Sequence, residues 1–321
     1  MKKIVVIGGG AGTSVVLRGL RDYPVSLSAI VSMMDSGGST GRLRRQYGVL
    51  PPGDIRQSLI ALSNAHPDIQ QLFIYRYASG DLKGHNIGNI LLSTLEKIAP
   101  DYMSSLKLAA TLLQVEGEVI PVTTNNVQLC AEYEDGEVIL DEHLIDSAKH
   151  KSVRIKKAYL SPNAQATKES LSAIASADYL IVGPGDLYTS LIPNFLVKNI
   201  AAEIRKSKAK LIFITNLMTK RGQTTKYASS DHVKDLEQYI GKKADYILVN
   251  SEIIPDEIVT FYKKYREHVV ADDLTESRNT HRKPLLNDQI FEKAKEDKAK
   301  RSLVRHDSKK IGSAIMEIIG N

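Results

Sequence analysis

The 321-residue chain has no tryptophan, five phenylalanines and a single cysteine. One cysteine excludes an internal disulfide and any cluster of cysteine metal ligands. Cys130 sits among Val127, Leu129 and Ala131 and reads as a buried thiol. No uninterrupted apolar run approaches the ~18 residues that a membrane-spanning helix requires. Met1-Lys2-Lys3 is followed only by the short run Ile4–Ile7 before glycines, too short for the apolar region of a signal peptide. A cytoplasmic protein with no membrane partner is therefore expected. Aromatics are sparse and no basic tract is interleaved with them, which argues against a nucleic-acid platform. The formal net charge of +6 still suits a small anionic partner, although a mildly basic soluble protein has the same balance.

With 42% hydrophobic and 25% charged residues, the composition is that of a globular protein with its own core. Ile4–Ile7 reads as a strand ending at Gly8-Gly9-Gly10, and Val15, Val16, Leu17 and Leu20 share one face of the helix that follows. Leu27–Val31 reads as a second strand. Asp54 suits the N-cap of a helix carrying Ile55, Leu59 and Leu62. Helices are predicted over 89–98, 102–113, 190–205, 232–240 and 308–319, and further strands over 179–182, 211–214 and 246–249. Between 116 and 160 the period changes to short alternating runs, predicting a β-rich insertion that serves as a lid or a homodimer contact. Alternating strands and helices imply an α/β fold: one domain over 1–321 with a doubly wound, mostly parallel sheet. In this class ligands bind at the carboxyl ends of the strands, where strand order reverses.

Several glycine-rich or polar loops are placed to meet there. In the first, Gly9, Gly10 and Gly12 allow backbone to approach a phosphate, with Thr13 and Ser14 as hydroxyl donors and a helix N-terminus behind them. A tight structural turn has the same pattern. The second joins Asp35, Gly37, Gly38 and Ser39 to Arg42 and Arg44. A backbone nest beside two guanidinium groups suits a diphosphate, and a basic surface loop is the alternative. Asp35 is also placed to hold a ribose, or to share Mg²⁺ with Asp54. Either carboxylate fits a cap equally well. His85 and Asn86 lie in a third loop, the histidine as a phosphate donor or proton carrier. Gly183, Gly185, Asp186 and Thr189 follow one strand. Asn216 and Asn250 follow two others and are placed to read a base or sugar through their amides. No metal-ligand spacing and no Ser-His-Asp arrangement is evident.

These blocks, in this order, resemble the CofD-like superfamily and, within it, the YvcK branch of gluconeogenesis factors. The blocks are Gly8–Gly12, Asp35–Arg44, Pro51–Arg56, Gly84–Asn89, Gly183–Asn194, Thr215–Thr225, Val249–Ser251 and Arg305–Asp307. The resemblance implies a Rossmann-like fold and a nucleotide site without a required cofactor. For this branch it implies a UDP-sugar ligand, UDP-N-acetylglucosamine in particular, and a metabolic enzyme or regulatory protein as partner. The implied role is control of carbon flow between gluconeogenesis and cell-wall precursors, with effects on cell shape. By the same resemblance Tyr265 and Arg305 are candidate ligand contacts, and Met218 is a further candidate from the loop that follows the strand over 211–214. The sister branch transfers phospholactate to a deazaflavin precursor from a guanylyl-activated donor with a divalent metal. In that reading Asp35 and Asp54 would be catalytic and hold Mg²⁺. The chain departs from the family pattern at three points. Ala11 replaces a threonine, Ser36 replaces a carboxylate, and Lys220-Arg221 make the Met218–Thr224 block more basic. An NAD-dependent oxidoreductase is disfavoured because Thr13 stands where the third glycine of the dinucleotide fingerprint belongs.

Overall fold

The computed structural model describes residues 1–148, 150–287 and 304–320. The first half opens with β1 (Lys2–Gly8), α1 (Gly10–Leu20), β2 (Val25–Val31), α2 (Gly38–Tyr47), α3 (Pro52–Ala61) and α4 (Pro67–Ile74). It continues through α5 (Ile87–Ile98), α6 (Tyr102–Leu112), β3 (Glu118–Pro121), β4 (Gln128–Tyr133), β5 (Val138–Leu140), α7 (Glu142–Asp146) and β6 (Ile155–Ser161). The second half holds α8 (Lys168–Ser176), β7 (Tyr179–Val182), a π-turn (Leu187–Leu191), α9 (Ile192–Leu196), α10 (Ile200–Lys206) and β8 (Lys210–Ile214). It ends with α11 (Ser229–Ile240), β9 (Tyr246–Asn250), α12 (Asp256–Lys263), β10 (Thr280–Lys283) and α13 (Ser308–Gly320).

Seven strands form one sheet in the order β10-β9-β8-β7-β1-β2-β3. Every neighbouring pair is parallel. Ile4, Val5, Val6 and Ile7 are all buried, and four consecutive buried residues in a strand require cover on both faces. α1, α3 and α13 pack together as one group of helices, and α8–α11 as another. The chain builds outward from β1 to β3, returns at β7 on the opposite side of β1, and builds outward again to β10. Strand order therefore reverses between β1 and β7, and a crevice must open beyond Gly8 and Val182.

α13 closes over this arrangement at a glycine crossing. A Cβ at Gly19 would lie 2.1 Å from the Ser308 carbonyl oxygen, and one at Gly312 would lie 2.0 Å from that of Gly19. Only backbone fits at this contact, which locks α13 on α1 and carries Val304–His306 to the crevice. Among the described residues no helix is long and apolar enough to cross a membrane.

The β-rich insertion exists, with different limits from the predicted 116–160. β3 joins the main sheet as a parallel partner of β2. The insertion proper is the antiparallel sheet β5-β4-β6 with α7, spanning 128–161. Alternation alone marks a strand and not the sheet it joins. The predicted helix over 190–205 is broken, because Val197–Asn199 interrupt it and Asn199 has φ of +75°. The polar stretch between Asp35 and Asp54 contains the helix α2, where a loop was expected. Asp54 is not an N-cap: Pro51 holds that position and Asp54 lies in the first turn of α3. Cys130 is free and buried, as expected.

Candidate functional site

A cleft of about 390 Å³ opens at the point where strand order reverses. The loop after β1 and the start of α1 supply Gly9–Gly12 and Val15. The loop after β7 supplies Pro184–Asp186, with Ser190 behind it, and the loop after β8 supplies Asn216–Lys220. Tyr262 and Glu267 come from α12 and just beyond, Val304–His306 from the stretch before α13, and Asp146 from α7 of the insertion.

The N-terminus of α1 forms the floor. Its N-cap is Gly9, which brings no capping side chain, and no acidic residue of its own lies in the first turn. Such a terminus presents backbone donors and the positive end of the helix dipole. Gly12 is required by proximity, since a Cβ there would lie 1.9 Å from the Pro184 carbonyl oxygen. The helix and the β7 loop meet backbone to backbone. On the far side of the loop the Asp54 carboxylate accepts the Gly10 N–H, while Ala11 and Gly12 line the cleft. Asn216 ties two walls together by accepting the Gly185 N–H at 3.4 Å.

Charge in the cleft is balanced locally. The Lys220 ammonium bonds both Asp146 and Asp186. Gln223 also donates to Asp146, at 3.3 Å. Glu267 accepts the Arg221 N–H at 3.2 Å, and burial raises its pKa. The exposed Arg305 adds a second cation. His306 is only 7% exposed, and burial pushes its pKa down to about 4, so the imidazole is neutral at pH 7. Its ring bonds the Thr215 backbone, and its Nε2 has no partner among the described residues. A buried unpaired nitrogen of this kind gains from a ligand hydrogen bond.

A group of carboxylates lies behind the floor. Burial, and then the charge of Asp35, pushes Asp54 up to about 7. Burial, then Asp35 and Asp146, pushes Glu142 up to about 9. Asp35 is itself raised by burial, against the opposing hydrogen bonds of Gly37 and Thr40. Among the described residues no three acids, histidines or cysteines are placed to hold a metal ion.

Of the residues singled out from sequence, Gly9, Gly10, Gly12, Gly185, Asp186, Asn216, Met218 and Arg305 line the cleft. Gly183, with φ of +83°, forms the turn just before Pro184. The others are engaged elsewhere. Thr13 and Ser14 are buried, and their hydroxyls donate to the Gly9 and Gly10 carbonyls at 3.3 and 3.2 Å. Gly38 lies outside the cleft, at the exposed start of α2. Arg44 donates to the carbonyls of Met34, Asp35 and Val127 and to the side chain of Asn126. Arg42 donates to the Lys83 carbonyl at 2.8 Å. Neither arginine lines the cleft. Asp35 binds the Gly37 N–H at 2.9 Å and is not placed to hold a ribose in the cleft. Gly37 packs against His143. Ser39 meets His85 Nδ1 at 3.2 Å and accepts the Asn86 N–H, while Asn86 caps α5. Thr189 meets Gln223. Asn250 is bonded to Glu252 and Leu285. Tyr265 packs on Phe261, and Tyr262 is the tyrosine that reaches the cleft.

The sequence reading missed Asp146, Tyr262, Glu267 and His306 as cleft residues. His306 stands within the Arg305-His306-Asp307 block, which was the available signal. Asp146 and Glu267 carry no local pattern and reach the cleft only through tertiary folding.

Comparison with known proteins gives a uniform result. The family model described as 2-phospho-L-lactate transferase CofD matches residues 4–290. The gluconeogenesis factor of Bacillus subtilis is 40% identical over 320 residues, covering 99% of this chain and 98% of the relative. That of Listeria innocua is 38% identical over 325 residues, covering 99% and 96%. A crystal structure of a Bacillus halodurans protein superposes with a TM-score of 0.89 at 36% identity, covering 98% of this chain and 99% of the other. Identity at this level over nearly the whole length carries more than the fold, and the chain belongs to the CofD family, among its gluconeogenesis factors.

Proposed function

We propose that the protein is a regulator that binds a nucleotide-sugar of the UDP-N-acetylglucosamine type. Its occupancy adjusts carbon flow between gluconeogenesis and cell-wall precursor supply, and through that supply cell shape. One observation carries this reading: the start of α1 and the β7 loop meet at the strand-order reversal, in a cleft that Arg305 and Lys220 also line. The floor suits a diphosphate because backbone donors and the helix dipole attract anions without a dedicated side chain. Asn216, Ser190 and Thr219 supply the neutral polar groups that a sugar or base requires, and Tyr262 and Leu217 supply apolar wall. The regulated partner is a metabolic enzyme or regulatory protein.

The competing reading is a phospholactate transferase acting on a deazaflavin precursor. It is favoured by one feature, the Asp54 carboxylate beside Gly9 with Asp35 close enough to raise its pKa. Mg²⁺ needs only one or two carboxylates when substrate phosphates complete its shell. In that reading Asp35 and Asp54 would hold the ion, whose chemistry is to neutralise charge on the diphosphate.

A thermal-shift panel of UDP-N-acetylglucosamine, GDP and NAD, each with and without Mg²⁺, tests both. A ligand that binds only the folded state at 100 times its Kd stabilises by about 2.7 kcal/mol. Stabilisation by the UDP-sugar without metal supports the regulator. A shift that requires GDP and Mg²⁺ together supports the transferase. No shift with any nucleotide rejects the site as read.

A further inference from the structure

We propose that Lys220 is an ion-pair latch, which a nucleoside-diphosphate ligand opens by drawing the ammonium onto its phosphates, so that Asp146 and with it α7 are released. The proposal rests on the nucleotide reading of the cleft and adds the means by which occupancy reaches another surface.

The geometry sets up a competition for one cation. Lys220, Asp146 and Asp186 all line the cleft, and Lys220 bonds both carboxylates. An ammonium has three N–H donors and turns freely on a long stem. Two of them meet carboxylates here, and the third is available to a phosphate oxygen. A diphosphate brings negative charge to a cleft that already holds Asp146, Asp186 and Glu267 against Lys220 and Arg305. The ligand can take the third donor of Lys220, and its added negative charge then weakens the hold of the ammonium on one of the two carboxylates.

Asp146 is the one that yields at least cost. The two carboxylates are about equally open to solvent, at 34% and 37%, but Asp146 keeps a second side-chain donor, Gln223 Nε2 at 3.3 Å, whereas Asp186 has only Lys220 among the described residues. Asp186 sits in the β7 loop that forms the cleft wall and stays beside the ligand.

Release of Asp146 has a structural consequence because of where it sits. It is the last residue of α7, whose other end holds the β2 loop: Ser36 donates its N–H to Glu142 at 3.2 Å and its hydroxyl to Asp141 at 2.6 Å. The 219–225 loop grips the insertion at two further points. Tyr133 Oη donates to the Gly222 carbonyl at 2.9 Å, and a Cβ on Gly222 would lie 2.3 Å from the Ala148 carbonyl oxygen. Those two contacts hold the insertion on the body, so opening the latch loosens α7 without detaching the small sheet.

The test combines calorimetry with hydrogen exchange on wild type, Lys220→Gln and Asp146→Asn, using UDP-N-acetylglucosamine, UDP, GDP and uridine. In wild type the diphosphate ligand is expected to slow exchange at 9–12 and 184–186 while speeding it severalfold at 141–148. Lys220→Gln is expected to lose about tenfold in affinity for the diphosphates. Its affinity for uridine should not change, and exchange at 141–148 should be fast and indifferent to ligand. Asp146→Asn keeps Lys220 and should show the same fast exchange without ligand, with diphosphate affinity a few times higher than wild type because the competitor for the ammonium is gone. Diphosphate affinity within twofold of wild type in Lys220→Gln overturns the latch alone, as does a ligand-insensitive 141–148 segment in wild type. If no nucleotide binds wild type, the nucleotide reading falls and takes the latch with it. The ligand-free exchange of Asp146→Asn then shows separately whether the ion pair holds the insertion.

Discussion

Two glycine-rich regions of this molecule, both of which look like binding loops in the sequence, behave in opposite ways. In the first, the Gly9–Gly12 turn and the Pro184–Asp186 loop leave backbone and side-chain groups facing a cleft. In the second, the Asp35–Arg44 stretch, the Pro51–Arg56 turn and the Gly84–Asn89 turn close on one another. There Arg44 satisfies three carbonyls and an amide, Arg56 Nε donates to Asn89 at 2.8 Å, and Asn89 reaches Thr40 at 3.4 Å. Glycine, serine and arginine in a polar loop thus do not by themselves make a site. The difference is whether the donors are already taken by the protein.

The largest expected effect comes from closing the open region by force. Gly12→Ala places a methyl group 1.9 Å from a backbone oxygen that belongs to the β7 loop and cannot step aside alone. Overpacking of this kind is expected to destabilise by ~3 kcal/mol and to abolish nucleotide binding. Urea unfolding and calorimetry check the two parts. Wild-type stability in this variant would show that the two loops are not in backbone contact.

The closed region should respond the other way. Arg44→Ala removes four hydrogen bonds that join the end of β2 to residues 126 and 127. It is expected to cost ~2 kcal/mol of stability and to leave ligand affinity, measured on the folded protein, within twofold of wild type. A selective loss of affinity would restore Arg44 to the diphosphate site and erase the contrast between the regions.

How much of this contrast was legible in the sequence depends on which residues are asked. The strand-to-glycine-to-helix order at Ile4–Leu20 carries its own geometry, and so does the strand at Tyr179–Val182 running into Gly183-Pro184-Gly185. Parallel topology then obliges the two to meet, so that half of the cleft was readable. Arg42, Arg44, His85 and Asn86 looked equally functional because composition reports donors and not their partners. Their acceptors, such as the carbonyls of Lys83 and Val127, are set by how distant loops pack. Asp146 and Glu267 were invisible for the same reason in reverse. They come from a five-residue helix in the insertion and from a turn after α12, and only tertiary structure brings them to Lys220 and Arg221.

Arg305 sharpens the comparison at smaller amplitude. It is exposed at the rim of the cleft, whereas Arg44 is held by carbonyls. Arg305→Ala is expected to weaken diphosphate binding about tenfold while changing stability by less than ~0.5 kcal/mol. Titration calorimetry at two salt concentrations checks this. The loss should shrink as salt rises, because an exposed charge is screened. Equal affinity in the variant at low salt would remove Arg305 from the ligand.

The smallest effect is a dependence on pH that belongs to the closed region. Burial and the neighbouring Asp35 and Asp146 push Glu142 up to about 9, whereas an unfolded chain ionises glutamate near ~4.3. Between those values the folded protein retains a proton that the unfolded chain has released. This contribution to stability is therefore fully present below the unfolded value and is lost as pH rises through the folded one. Wild type should thus lose stability between pH 5 and 8. Glu142→Gln keeps an acceptor for the Ser36 N–H, bonded at 3.2 Å, and removes the titration. Its ΔG of unfolding should fall less over that range, by on the order of 1 kcal/mol, because Glu142 keeps some contact with solvent. Urea unfolding at pH 5, 6.5 and 8 measures the difference. Parallel slopes for the two proteins would mean that Glu142 is ionised in the folded state, and that the carboxylates behind the cleft floor repel one another without a shared proton.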